Sequence, residues 1–441
     1  MKRYDSYKDS GVEWIGEIPS GWEKRKFKWD IFYQEGPGLR TFQFTDSGVR
    51  VICVSNITEH GIDFETTHTR HISQDEYEEK YKHFTVNDRD ILLSSSGSIG
   101  KVSRYFFDGK PVILNTSTIR IHSSNKENYL DDFVPYVLSS NYIQIQLRFL
   151  MTGGIVSNFG PSHLDQLFNY IPPLLEQQQI VSFLDSKTSQ IDELIQKKER
   201  KIELLKKYRT SLINQVVTKG LNPNVEMKDS GVEWIGEIPS HWFCVGTNKV
   251  YNDLGTGTTP TSDNSDYYSD NGYHWITTTD LNEGIMLDTL SKITEKSVKD
   301  YPNLRLYPSG SIYISMYGGR IGKLGVSTFD SYCNQSVCVL PKNDTIIVKF
   351  YYYWFLGFQE FVKGMGRGGG QPNINKDMIK SFPTVKIPLF EQQQIVLYLD
   401  EQTHKIDSSI QSEEKKIELL KEYRQSLISE VVTGKIDVRL N

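Results

Sequence analysis

Cysteine is scarce in this 441-residue chain. Its four cysteines, Cys53, Cys244, Cys333 and Cys338, form no CxxC pair and have no histidines at zinc-ligand spacing, so neither a disulfide framework nor a metal site is expected. Histidine is also sparse, at 9 residues, with no cluster of histidines and carboxylates at ligand spacing, which argues against a metallonuclease centre. No apolar run is long: the aromatic stretch Phe350 to Phe358 falls far short of the roughly 20 residues that span a bilayer. The polar start, Met1 to Ser10, holds no signal-peptide region, so the chain is read as cytoplasmic with no membrane contact. An excess of positive charge is missing too. At a net charge of -5, any contact with phosphates has to come from local patches or be shared with a basic partner. The strings GSIGKV (97–102) and GRIGKL (319–324) lack the GxxxxGK followed by Ser or Thr of a phosphate loop. An Asp/Asn-Pro-Pro-aromatic methyl-transfer signature is absent as well; the nearest strings, Asn222-Pro223-Asn224 and Gln371-Pro372-Asn373, do not fit it. No catalytic residues are assigned.

What is present is a repeat. Residues 8–22 read KDSGVEWIGEIPSGW and residues 228–242 read KDSGVEWIGEIPSHW, differing only at Gly21 against His241. A second pair follows: EQQQIVSFLD from Glu176 against EQQQIVLYLD from Glu391, then KIELLKKYRTSLINQVVT from Lys201 against KIELLKEYRQSLISEVVT from Lys416. Between these shared edges the copies diverge, keeping a faint register in SSSGSIGKVS (94–103) against SMYGGRIGKLGVS (315–327). Near-identical frames with different interiors fit two surfaces of different specificity and one shared structural task; neutral drift after a duplication is the alternative. With 38% hydrophobic and 12% aromatic residues, the length suits two or three globular domains.

From Val181 onward, steps of three and four residues are mostly apolar as far as Val216, and the pattern repeats from Val396 to Val431. A seam held over five heptads predicts a coiled coil of two helices, each of about 35 residues and roughly 50 Å. Its polar breaks suggest antiparallel pairing. That register sets Lys198 against Glu413, Thr188 against Arg424, and Arg209 against Thr403. Charge agrees: residues 176–225 carry 9 Lys+Arg and 6 Asp+Glu, whereas residues 391–441 carry 7 and 10. Two separate helices, each packed on its own domain, remain the plainer alternative. An antiparallel pair of equivalent helices has a pseudo-two-fold axis and would hold two heads in inverted orientation, as a split duplex target requires.

The duplicated WIGEIPSGW/WIGEIPSHW opening, the IPPLLEQQQI/IPLFEQQQI exit and the KKIELLKKYR-type helices together resemble the specificity subunit of type I restriction-modification systems, over essentially the whole chain. The resemblance implies an α+β fold: two tandem α/β target-recognition domains separated by a long antiparallel two-helix coiled coil, pseudo-two-fold symmetric. The boundaries are 1–175 for the first domain, 176–220 for its helix, 221–227 for a linker, 228–390 for the second domain and 391–435 for the second helix. The implied partners are double-stranded DNA, two modification subunits that methylate adenine with S-adenosylmethionine, and restriction subunits that use ATP and Mg to translocate and cut DNA. None of these cofactors is expected in this chain. A protein-interaction scaffold that does not read DNA is the competing reading, and a self-sufficient nuclease is a third.

Loops rich in Gly, Ser, Thr and Asn let backbone approach phosphates and offer donors and acceptors to bases. The first candidates are Ser96, Ser98, Lys101 and Arg104, matched by Tyr317, Arg320 and Lys323; an ordinary turn between strands is the alternative. The second segment, Gly364 to Asn375, carries Arg367, Gln371, Asn373 and Asn375, with Met151 to Ser162 as its counterpart; a hinge is the alternative there. In such a loop Arg367 suits guanine, and Gln371 or Asn373 suits adenine. Gly255 to Ser262 is a weaker third candidate, and Lys24, Arg25, Lys26 and Lys28 form a basic cluster between Trp22 and Trp29. The repeated Trp14/Trp234 and Trp22/Trp242 are read as core or docking residues, because specificity should differ between copies while these do not.

Overall fold

The computed structural model describes residues 2–58, 61–97, 100–151, 158–251, 253–366 and 372–439. The chain divides into two compact units, Met1–Glu199 with Lys415–Asn441, and Arg200–Glu414. Each unit takes part of both long helices. Those helices run over Leu174–Lys219 and Leu389–Val432, at 46 and 44 residues longer than the seam alone suggests. The extra length lies partly at the start, where Gln177 N donates to Pro173 O (2.9 Å) and Gln392 N to Pro388 O (3.0 Å). A proline fits there because its missing N–H falls where a helix has no internal acceptor.

In the first unit an antiparallel sheet takes the order Val102–Arg104, Ile91–Ser94, Thr118–Ser123, Ile31–Glu35. Thr118–Ser123 shows why: Ile119 and Ile121 are buried, while Arg120 and His122 face the other way with period two. A second sheet joins Val112–Leu114, Val49–Ile52 and Arg70–Ile72. The main core mixes Ile91, Leu93, Ile119 and Ile121 with Ile180, Leu184, Ile191 and Ile195 of the first long helix and Leu427, Ile428 and Val431 of the second.

In the second unit five strands run in the order Gly255–Thr256, Val337–Leu340, Ile312–Ser315, Leu324–Ser327, Gly284–Met286. A smaller sheet joins Lys292–Ile293, Tyr268–Ile276 and Tyr332–Cys333. The helix Val348–Gly357 buries every residue from Phe350 to Gly357, so the aromatic stretch is a core helix. Among the described residues, no helix is long and apolar enough to cross a membrane.

The repeated opening motif does the same work in each unit. Trp22 is buried and donates its indole N–H to Glu176 Oε1 at 2.9 Å; Trp242 is buried and donates to Glu391 Oε2 at 2.9 Å. Each carboxylate sits in the first turn of a long helix, where the dipole favours negative charge. Each motif also receives the end of a long helix. Gly220, at φ +69°, lies so near Trp242 that a Cβ would come to 3.3 Å from Cζ2; Gly434, at φ +72°, would place one 2.3 Å from Pro19 Cδ. Both are left-handed positions at which glycine closes a helix without steric cost. In the second unit the chain continues from Gly220 into the motif. In the first, the tail beyond Gly434 meets the N-terminus non-covalently, with Asp437 N on Lys2 O (2.9 Å), Arg439 over the Tyr4 ring (4.5 Å) and Ile436 and Val438 buried.

The polar breaks in the seam find partners within each unit, the arginines as ion pairs. Arg424 Nε pairs with Asp192 Oδ1 (3.0 Å) in the first unit, and Arg209 Nε with Asp407 Oδ1 (2.9 Å) in the second. Thr188 and Thr403 are buried, and each donates to a carbonyl of its own helix, Leu184 O (2.8 Å) and Leu399 O (2.6 Å). The arginines therefore pair one turn beyond the threonines set opposite them by the sequence pattern, because a guanidinium gains more from a carboxylate than from a hydroxyl already bonded in its helix. In the second unit Glu413, buried, pairs with Lys201 Nζ at 3.0 Å, so helix positions rise on one side as they fall on the other. Lys198, the expected partner of Glu413, belongs to the first unit.

Candidate nucleic-acid interface

The segments singled out in sequence come together in each unit. In the first, Ser96 bridges Asn158, and Phe159 N donates to Ser95 O (3.1 Å), joining the turn after Ile91–Ser94 to the Met151–Ser162 segment. In the second, Tyr317 bridges Asn373, Ile374 N donates to Met316 O (3.0 Å) and Gly318 N to Pro372 O (3.1 Å).

Both edges are completed by a turn that sequence reasoning passed over. It reads Asn115-Thr116-Ser117 in one unit and Asn334-Gln335-Ser336 in the other. Ser95 N donates to Ser117 O and Met316 N to Ser336 O, both at 2.9 Å; Asn115 N reaches Ile52 O (3.1 Å) and Asn334 N reaches Ile276 O (3.0 Å). A fourth segment packs on this turn. Gly36 N donates to Thr118 O (3.0 Å), while Gly257 N, in the Gly255 to Ser262 loop, donates to Asn334 O (3.2 Å). A Cβ on Gly36 would stand 2.3 Å from Asn115 O, and one on Gly257 1.6 Å from Cys333 O, so both approaches require glycine. The available signal was a three-residue Asn-x-Ser string between buried runs, which in one copy alone reads as a plain turn.

The expected contact residues divide by what their polar groups already bind. Arg320 donates to Thr278 O (2.7 Å), Leu281 O (2.8 Å) and Asn282 Oδ1 (2.8 Å), holding the turn Thr278–Asp280. Lys323 pairs with Glu283, which also accepts from Gln359 Nε2 (3.0 Å). Burial pushes the Glu283 carboxyl up, but Lys323 and Gln359 outweigh it and hold it below the usual range. Arg104 pairs with Asp132 and donates to Asp131 O (3.3 Å). Asn375 caps the helix Lys376–Ser381 by accepting from Met378 N (2.9 Å). Lys101, Asn373 and Tyr317 are exposed, and Ser96 is half-buried. Ser98, Arg367 and Gln371 lie outside the described residues.

In the basic cluster, Arg25 is bonded to Asp30 (2.7 Å) and Lys24 lies over the Phe168 ring (4.2 Å), leaving Lys26, Lys28 and Trp29 exposed. Trp14 lies near Tyr142 (5.8 Å) with 42% of its surface exposed, and Trp234 stacks on Phe361 (4.7 Å) within its own unit. Among the described residues no group of His, Cys, Asp and Glu is placed to hold a metal ion.

Comparison with known proteins fits this arrangement. The sequence profile of the type I restriction modification DNA specificity domain matches residues 19–204 and 251–422. The chain is 26% identical over 441 residues to the putative type I restriction enzyme MjaX specificity subunit of Methanocaldococcus jannaschii, covering 96% of each. It is 28% identical over 380 residues to the MjaVIII specificity subunit of the same organism, covering 81% of each. Among solved structures, a chain from the work "Structural basis underlying complex assembly and conformational transition of the type I R-M system" superposes with a TM-score of 0.69 at 16% identity, over 95% of this chain and 99% of that one, which shows the fold. The chain belongs to the family of type I restriction-modification specificity subunits, with two such domains in tandem. It recognises the DNA target within its complex and is not itself an enzyme.

Proposed function

We propose that the chain reads a two-part duplex target, one half-site per unit, and seats two identical modification subunits as well as restriction subunits. The observation that carries this reading is that one hydrogen-bond scheme holds different side chains at the two edges, Thr116 in one and Gln335 in the other. Two half-sites of different sequence need such a pair of readers on a common frame. In this reading the long helices pair as an antiparallel coiled coil whose length sets the gap, with the half-sites about one helical turn apart. The repeated helix faces support a pair of identical protein partners: Leu204 and Tyr208 are 50% and 57% exposed, and their counterparts Leu419 and Tyr423 are 51% and 47%. The same exposed apolar pair on each helix offers two identical partners the same face. S-adenosylmethionine, ATP and Mg then belong to the partners, and the complex works in the cytoplasm.

The test is to co-express the chain with its modification subunit in a host without adenine methylation and map the methylated sites. One bipartite motif is expected. Assembly of the complex with no methylated motif would favour a scaffold without DNA reading.

A further inference from the structure

We propose that Gln335, at the tip of the Asn-x-Ser turn of the second unit, reads an adenine in that unit's half-site. The proposal rests on the half-site reading above and assigns it a base contact.

The turn is built to present one side chain. Val337 N closes it on Asn334 O (3.4 Å), Ser336 N donates to Asn334 Oδ1 (3.1 Å), and the main-chain bonds from Met316 and Gly257 clamp it on both sides. Gln335 is exposed at the centre of the edge. A side chain on so fixed a backbone loses little further freedom on binding. Its amide is oriented as well, because the Thr259 hydroxyl donates to Gln335 Oε1. That leaves one Oε1 lone pair and two Nε2 hydrogens, which match the N6 amino group and N7 of adenine in the major groove. Such an adenine is distinct from the methylated one, which leaves the stack to react.

The neighbours on the same edge are occupied differently. Arg320 Nε and Nη2 and the ammonium of Lys323 are bound within the unit, and the side-chain carbonyl of Asn375 caps a helix. The first unit supplies the contrast. Thr116 stands at the equivalent tip, but its hydroxyl donates to Pro37 O at 3.0 Å, leaving a methyl group and acceptor lone pairs. That set cannot make the two-point adenine contact, so the repeated turn gives the two units different readers.

The experiment uses the full chain in complex with its modification subunit, mapping methylated adenines for the wild type and for Gln335→Ala, Gln335→Thr and Thr116→Gln. One adenine of the second half-site should become degenerate in both Gln335 variants. Methylation of the original motif should drop by about 5- to 150-fold, as expected for loss of a two-point contact worth roughly 1–3 kcal/mol. Thr116→Gln should alter the other half-site alone. Thermal melting of each complex separates misfolding from misreading, and Gln335→Thr guards against a collapsed turn, since the first unit builds the same turn around threonine. An unchanged motif and rate, changes in both half-sites, or degeneracy at a base other than adenine would overturn the assignment. A wild-type complex that methylates no bipartite motif would instead defeat the half-site reading, and this proposal with it.

Discussion

The two units share a set of side-chain bonds and differ in the grooves beside them. Tyr136 donates to Asp185 as Tyr353 does to Asp400, and burial pushes both phenols up, with help from these carboxylates. Arg424 with Asp192 repeats as Arg209 with Asp407, and Trp22 with Glu176 repeats as Trp242 with Glu391. Beside these shared groups each unit has a groove. That of the first, about 490 Å³, is lined by Arg89, Arg104, Asp132 and Arg424; that of the second, about 650 Å³, is lined by Ile285, Val326, Tyr352 and Lys349. These bonds are thus repeated between the units, while the linings of the two grooves have diverged. A reading surface can change without disturbing the frame that presents it.

The sharpest way to break this equivalence is at its tryptophans. Trp22→Ala and Trp242→Ala should each destabilise their own unit by about 3–5 kcal/mol, from the lost volume and the lost indole bond to the glutamate. Denaturant unfolding followed by hydrogen exchange assigns the loss to one unit, and a marked inequality would mean that the motifs do different work. A smaller effect separates the units by connectivity. Ile436→Ala, in the non-covalent tail, should cost roughly 2–4 kcal/mol and speed amide exchange in the first unit, leaving the second unchanged. Arg209→Met and Arg424→Met should cost only about 1 kcal/mol each, because both ion pairs are part-exposed and screened. Equal values would sharpen the comparison.

The smallest effect is a pH dependence confined to the second unit. The Glu283 carboxyl lies below its unfolded value, so the stability it contributes is present above the ordinary carboxylate range and is lost as pH falls through its folded value. Lys323→Met should flatten that acid limb in a denaturation series from neutral to acid pH. An unchanged slope would show that the ion pair is not the source.

The repeat, the apolar seam and the candidate loops were legible in the sequence because identity and period are local properties. Partner choice was not. Arg320 and Lys323 read as free cations beside glycines, yet the fold brings carbonyls from Thr278 and Leu281 and the Glu283 carboxylate to them from about forty residues away. Asn375 read as a base contact and serves as a helix cap, a role its position before Lys376–Ser381 already permitted. In the seam, period placed the helices but not the one-turn offset that carries Arg209 to Asp407 and Arg424 to Asp192. Gln335 and Thr116 were missed because a turn becomes a reading tip only when four distant segments meet around it.

Equivalence of frames with independent readers is tested most directly by giving both units one head. In a chain whose residues 23–171 are replaced by residues 243–386, both units carry the second reader. Methylation mapping of its complex should return a palindromic motif, the second half-site twice in inverted orientation. Retention of the original asymmetric motif, or a direct repeat of one half-site, would contradict the account.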